Sequence, residues 1–126
     1  MATETFREIY LCPAHNNIVA GVMIGDLAVA PALKPIDACT GAIVPGGLAE
    51  QVRATLVNLD LFLDAAGLGL HHVSRMRFFM RNPDDREAID PVWNERYPSA
   101  VAHPSFEFVP ANLPDGTLVV AEVLCS

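Results

Sequence analysis

An acid, a hydroxyl and an imidazole fall within one short segment, His103-Pro104-Ser105-Phe106-Glu107-Phe108-Val109. In an extended chain alternate side chains share a face, so Ser105, Glu107 and Val109 project together and Phe106 and Phe108 project oppositely. Thr117 to Leu124 reads as a strand paired with this one, and Val120 and Glu122 are expected on the side of Ser105. Glu107 is then the candidate carboxylate for activating water. Asp90 is a candidate second acid, and two carboxylates brought close drive one pKa upward, which suits acid–base work. His103, two residues before Ser105, is the candidate proton carrier near neutral pH. The competing reading of Glu107 is a strand residue in a structural charge network.

From Tyr97 to Ser126 the chain has no Arg or Lys. A cation for an anionic substrate must therefore come from elsewhere, and Arg77 with Arg75 is the candidate, weighed against ordinary ion pairing. His71-His72 lacks further ligands at a spacing that would close a zinc site, so no metal is expected. Cys12, Cys39 and Cys125 are widely spaced without a CxxC pair and read as separate thiols in a reducing compartment. Asn16-Asn17 reads as turn-forming, and Trp93 with Tyr97, four apart, as a helical packing pair.

The elements that must position these groups follow from periodicity. Ile18 to Ile24 and Leu27 to Ala32 are β-prone runs separated by Gly25-Asp26, a hairpin signal. Val52, Leu56, Leu59, Leu63 and Ala66 recur at spacings of four and three, so they define one face of a helix, with Gln51 and Asn58 expected largely off that stripe. Gly67 suits a left-handed cap. Val73 to Met80 is a strand, with Ser74, Met76, Phe78 and Met80 expected on one face and Arg75, Arg77 and Phe79 on the other. Asn82-Pro83-Asp84-Asp85 is a helix start, and Asp90-Pro91 opens a short helix through Tyr97. The order ββ, helix, β, helix, ββ is an α+β domain: one mainly antiparallel sheet with two helices on one face.

A chain of 126 residues makes a single domain, residues 1–126, and its 52% hydrophobic content with mean hydropathy +0.31 leaves apolar surface for a subunit interface. The net charge of -7 argues against nucleic acid, which is bound through clustered cations. The apolar run Ile18 to Ile24 is too short to span a membrane, and Glu4, Arg7 and Glu8 interrupt any leader-like segment. The expected location is cytoplasmic.

The chain resembles the RidA/YjgF family of enamine and imine deaminases. The resemblance rests on Gly25-Asp26, Thr40-Gly41, Glu50-Gln51, Ala65-Ala66-Gly67, the run Asp90-Pro91-Val92-Trp93-Asn94-Glu95-Arg96-Tyr97-Pro98, and Leu113-Pro114-Asp115-Gly116 with Glu122. It implies a chorismate-mutase-like subunit, a homotrimer with clefts between subunits, and hydrolysis without a metal or cofactor. It also implies substrate-binding positions. The family's carboxylate-gripping arginine falls on Ser105, its last-strand acid on Val120, its Ser-Gly pair on Pro31-Ala32, its N-terminal aromatic on Ile18 and its helix asparagine on Asp90. Serine offers one neutral donor where the family has a charged fork, so the pocket departs from the family pattern. The function expected is a divergent enzyme deaminating or tautomerising a small enamine or imine, in aromatic or amino-acid catabolism. Its counterpart is a non-catalytic trimer of the same fold that binds a small ligand or regulates a partner enzyme.

Overall fold

The structure is a computed structural model that describes residues 6–12, 18–98 and 104–126. Strands β1 (Phe6–Tyr10), β2 (Val19–Ile24) and β3 (Leu27–Leu33) precede helix α1 (Leu48–Ala66) and strand β4 (Val73–Met80). A 3-10 turn over Pro83–Ala88 leads into α2 (Ile89–Arg96), followed by β5 (Ser105–Pro110) and β6 (Val119–Cys125). The six strands form one sheet in the order β1-β2-β3-β6-β4-β5, with every neighbouring pair antiparallel except β4 and β5. Both helices cover one face of it, the architecture expected from the sequence.

Local signals account for the punctuation. Ile24 pairs with Leu27 across Gly25-Asp26, and Gly25 takes φ 58°, so the hairpin has a two-residue turn that glycine tolerates without a Cβ clash. Gly67 closes α1 at φ 72°, where its N–H reaches the Asp64 carbonyl. At the other end of α1 the Glu50 carboxylate accepts from the Gly47 N–H at 3.0 Å. Asn82 accepts from the Asp84 N–H at 3.2 Å, but the turn it starts is 3-10, and the α-helical run begins only at Ile89.

Three expectations are corrected. The sequence reading began the sheet at Ile18, whereas Phe6–Tyr10 adds an edge strand paired to β2. Its alternation is weak, with only Ile9 fully buried, so periodicity does not expose it. The second correction concerns β5 and β6, which are not neighbours. The chain leaves β4, crosses through α2 and returns parallel to β4 on its outer side, as a β-helix-β unit does. β6 then inserts between β3 and β4. The third is Ser74. The register shifts between Val73 and Arg75, which turns Val73 into the core and leaves Ser74 exposed, with its hydroxyl 2.8 Å from that of Ser126.

The core lies between the sheet and α1. Val52, Leu56, Leu59, Phe62, Leu63 and Ala66 descend onto Ala28, Ala30, Met76, Phe78, Ala121 and Val123, all of them buried. Trp93 of α2 caps the β5 side, with its ring 4.5 Å from Tyr97 and 5.2 Å from Phe106. Gly21 leaves no room for a side chain between β3 and α1: a Cβ there would lie 2.1 Å from the Val29 carbonyl oxygen and 2.8 Å from the Phe62 ring. Gly21→Ala is expected to cost more than about 2 kcal/mol, because backbone must move to admit one methyl; urea denaturation of the two proteins measures it.

Cys125 is fully buried in this core, and burial pushes its thiol up to about 11 from the ordinary 9.0. The unfolded chain releases this proton above pH 9 while the folded chain retains it. The stability it contributes is therefore complete below pH 9 and is lost as the pH rises toward 11. Denaturation curves across that window should show the decline, and Cys125→Val should remove that part of it.

Candidate functional site

A cleft of about 560 Å³ opens beside the ends of β2 and β3. Its walls are the ends of β2 and β3 (Val19, Ala20, Ala32, Leu33, Lys34), Leu11 after β1, the loop from Ile36 to Ile43, and Pro114, Asp115, Thr117 and Val120. Ile18, Ala32 and Val120, three of the sequence-derived substrate positions, all line it. Pro31 lies in an adjoining shallow groove of about 280 Å³ that shares Ala32 and Lys34.

Buried polar side chains of α1 set both loops of this cleft. Asn58, expected off the buried stripe, is 1% exposed, and its amide donates to the carbonyls of Lys34 and Ile36, each at 2.9 Å. Gln51, likewise expected outside, is 2% exposed. It donates to the Gly116 carbonyl at 2.7 Å and accepts from the Leu118 N–H at 2.8 Å, as a neighbouring strand would. Arg81 holds the same loop from the other side, donating to the carbonyls of Leu113, Pro114 and Thr117. Buried amides without partners are costly, so these residues face inward because loop carbonyls wait for them there. Periodicity ranks Gln and Asn as polar and cannot see those partners.

Polar groups in the cleft are few: Lys34, Thr40, Asp115 and Thr117. Lys34 is the chain's sole lysine and is exposed at the rim, and none of the ion pairs among the described residues uses it. No motif in the sequence singles it out. The signal that could have found it is the single lysine two residues after the Pro31-Ala32 position.

Ser105, Glu107 and Arg77 lie elsewhere on the subunit. They share the sheet face away from the helices, as the alternation predicted, and Glu122 faces with them across β4. The Glu107 carboxylate meets Arg75 at 3.3 Å through Oε1 and Arg77 at 3.5 Å through Oε2. Arg77 also meets Glu122 at 3.5 Å. The ion-pair alternative for Arg75 and Arg77 therefore describes this arrangement. Because β4 separates β5 from β6, Glu107 does not adjoin Val120. It stands opposite Arg77 and then Glu122, two residues along β6 from Val120. By strand spacings that is roughly 12 Å, and for Ser105, opposite Arg75 and Leu124, roughly 16 Å.

Asp90 is on the helical side of the sheet, exposed in the first turn of α2. α2 packs through Trp93 on Phe106, whose side chain points opposite to Glu107, so within one subunit the sheet separates Asp90 from Glu107. His103 and Asn16-Asn17 lie outside the described residues. His71 and His72 stack with ring centroids 4.0 Å apart, and His72 Nδ1 accepts from the Gly69 N–H. The cysteines are less separate than their spacing suggested: the thiols of Cys12 and Cys39 are 3.9 Å apart beside the cleft.

A two-helix, six-stranded domain of this topology with a cleft at the β2–β3 end defines a class of small α+β proteins, and comparison with known proteins names it. The family model described as endoribonuclease L-PSP matches residues 12–124, and the chain belongs to this family, the RidA/YjgF family. A RutC family protein of Pyrococcus horikoshii is 33% identical over 50% of this chain and 50% of its own length. The 2-iminobutanoate/2-iminopropanoate deaminase of Bos taurus is 28% identical over 71% of this chain and 64% of its own. The match thus spans about half to two-thirds of these curated relatives. Among solved structures, the Rid-family protein YyfA of Yersinia pestis superposes with TM-score 0.83, covering 97% of this chain and 99% of its own at 22% identity. TdcF of E. coli, solved with bound serine, superposes with TM-score 0.75, covering 89% of both chains at 24% identity. Among the described residues no helix is long and apolar enough to cross a membrane, and one relative, mmf1 of Schizosaccharomyces pombe, is described as mitochondrial.

Asn58→Leu removes both donors that hold the Lys34–Ile36 loop and leaves two carbonyls short of partners. We expect a loss of about 3 kcal/mol in unfolding free energy. Faster amide exchange at Asp37 and Val44, the residues of that loop bonded back to Ala42 and Pro35, should accompany it.

Proposed function

We propose that this protein hydrolyses a small, anionic enamine or imine, releasing ammonia, in a cleft completed by a neighbouring copy of the chain. The observation that carries the reading is the meeting of Ile18, Ala32 and Val120 with Lys34 in one cleft of about 560 Å³, within the range of small-molecule sites. The named deaminase activity of the bovine relative supports the reaction class.

The apolar walls receive the carbon skeleton, and the Lys34 ammonium supplies the positive charge that Ser105 does not. A lysine is a flexible point charge, so it suits a carboxylate held less rigidly than by a guanidinium fork. Glu107 and Ser105 come from the edge strand β5 of the adjacent copy. Arg75 and Arg77 fix the Glu107 carboxylate by one oxygen each, leaving lone pairs to accept a proton from water. Water adds to the imine carbon, the nitrogen gains protons, and the C–N bond breaks to leave a carbonyl compound and ammonia. Asp90 and His103 are the further proton carriers to test.

The need for a second copy has a physical basis. Phe6, Ile24 and Leu27 form an exposed apolar corner of the helix-free sheet face, continued by Val22, Val29 and Leu124 in one row toward Arg75 and Ser105. A face of this kind is stabilised by burial between subunits, and a homotrimer closes it. The second reading, a ligand-binding trimer without catalysis, is favoured by the engagement of Glu107 in two ion pairs.

With 2-iminopropanoate generated in situ, ammonia release should exceed the blank. Glu107→Gln should lower kcat by about 10²-fold or more. Lys34→Met should raise KM about tenfold with kcat little changed, and Lys34→Arg should restore it. Equal rates for wild type, Glu107→Gln and the blank would leave the binding reading in its place.

A further inference from the structure

We propose that Cys12 and Cys39 form a redox-responsive clasp on the rim of the cleft, closing to an intrachain disulfide under thiol oxidants. The two residues are 27 apart in sequence, yet their sulfurs are 3.9 Å apart, each within reach of the other as hydrogen-bond donor or acceptor. A disulfide needs about 2 Å between sulfurs, a gap that side-chain rotation with a small loop shift closes. All three cysteines are present as thiols, and of the three Cys39 is exposed, Cys12 half-buried and Cys125 buried.

The pair is placed where bridging has a consequence. Cys12 follows Leu11, whose N–H bonds the Ile18 carbonyl at 3.1 Å, and both Leu11 and Ile18 line the cleft. Cys39 precedes Thr40 and Gly41, which line the facing wall. The Cys39 side is already a tight loop. Asp37 Oδ1 accepts from the N–H groups of Cys39 and Thr40 at 2.8 and 3.1 Å, and the Gly41 N–H reaches the Asp37 carbonyl at 2.7 Å. A bond between the sulfurs therefore ties one preorganised wall to the other and limits how far the cleft opens. Hydrogen bonding to Cys12 raises the Cys39 pKa, with burial and nearby negative charge adding to it. At neutral pH the pair is then held as dithiol until an oxidant arrives.

With hydrogen peroxide the step balances. One thiolate attacks the peroxide, giving a sulfenic acid and hydroxide, and the second thiolate displaces that hydroxyl group as water once protonated. In sum two thiols and one peroxide yield one disulfide and two waters. The sulfurs lose two electrons and the peroxide oxygens gain them. Glutathione disulfide accomplishes the same oxidation by exchange and leaves as two glutathione thiols.

The test treats the full chain with hydrogen peroxide or glutathione disulfide, then counts thiols in denaturant and weighs the intact protein. The expected result is loss of two thiols and two mass units without interchain linkage, reversed by dithiothreitol and abolished by Cys12→Ser or Cys39→Ser. The oxidised form should melt about 10 °C higher, as a disulfide closing a loop of this length restrains the unfolded chain. Amide exchange at Leu11 and Ala42 should slow about tenfold on oxidation. Retention of all three thiols, or linkage only between chains, overturns the proposal. So does a disulfide that leaves the rim amides unchanged. None of these readouts uses enzymatic activity, so the proposal stands or falls apart from the deaminase reading.

Discussion

The buried amides of α1 are the interaction on which the rest of this structure depends. Gln51 and Asn58 sit on the helix face that packs against the sheet, where an unpaired amide N–H would be heavily penalised, and the amide nitrogen of each donates to loop carbonyls while the Gln51 oxygen also accepts from a loop N–H. One helix thus fixes the two loops that wall the cleft, and apolar packing fixes the helix. Loop carbonyls in a less polar environment gain more from such bonds than they would in water. The cleft is rigid at its base for that reason, while its rim, carrying Lys34, Thr40, Cys12 and Cys39, stays accessible or nearly so.

The second constraint is the insertion of β6 between β3 and β4. It makes β5 an edge strand and moves Ser105 and Glu107 to the far side of the sheet face from Val120. Groups expected from the sequence to share one pocket are therefore split between a cleft at the β2–β3 end and a charged strip at the β5 edge. In the strip, Arg75, Glu107, Arg77 and Glu122 alternate in sign, so each carboxylate finds a guanidinium across the strand. The proposed assembly joins cleft and strip by placing the β5 edge of one copy against the cleft of the next, and the exposed apolar corner around Phe6 gives that contact a driving force.

Much of the fold was legible because burial imposes periods on the chain. The 3–4 spacing of Val52, Leu56, Leu59 and Leu63, the alternation of Val73 to Met80 and the Gly25-Asp26 and Gly67 breaks all describe elements that formed where expected. Phe6–Tyr10 escaped because an edge strand with one buried residue carries almost no alternation. Ser74 was misplaced because a bulge changes the phase of a strand without changing its composition. Of the candidate site, Ile18, Ala32 and Val120, named through the family pattern, line one cleft, whereas Lys34 was overlooked because its neighbours in space come from other parts of the chain.

The sequence by itself determined the α+β class, the positions of both helices and the face on which most residues of β4 and β5 lie, since these depend on local geometry and on which side chains water rejects. It also determined that no Arg or Lys lies between Tyr97 and Ser126, because that is a matter of composition. Only the tertiary structure decided which strands are neighbours, and with that which charges meet. The order β3-β6-β4-β5 comes from chain crossover and sheet closure, long-range choices that leave no periodic trace. For the same reason the closeness of Cys12 to Cys39, and the presence of Lys34 and Val120 in one cleft, belong to the folded chain alone.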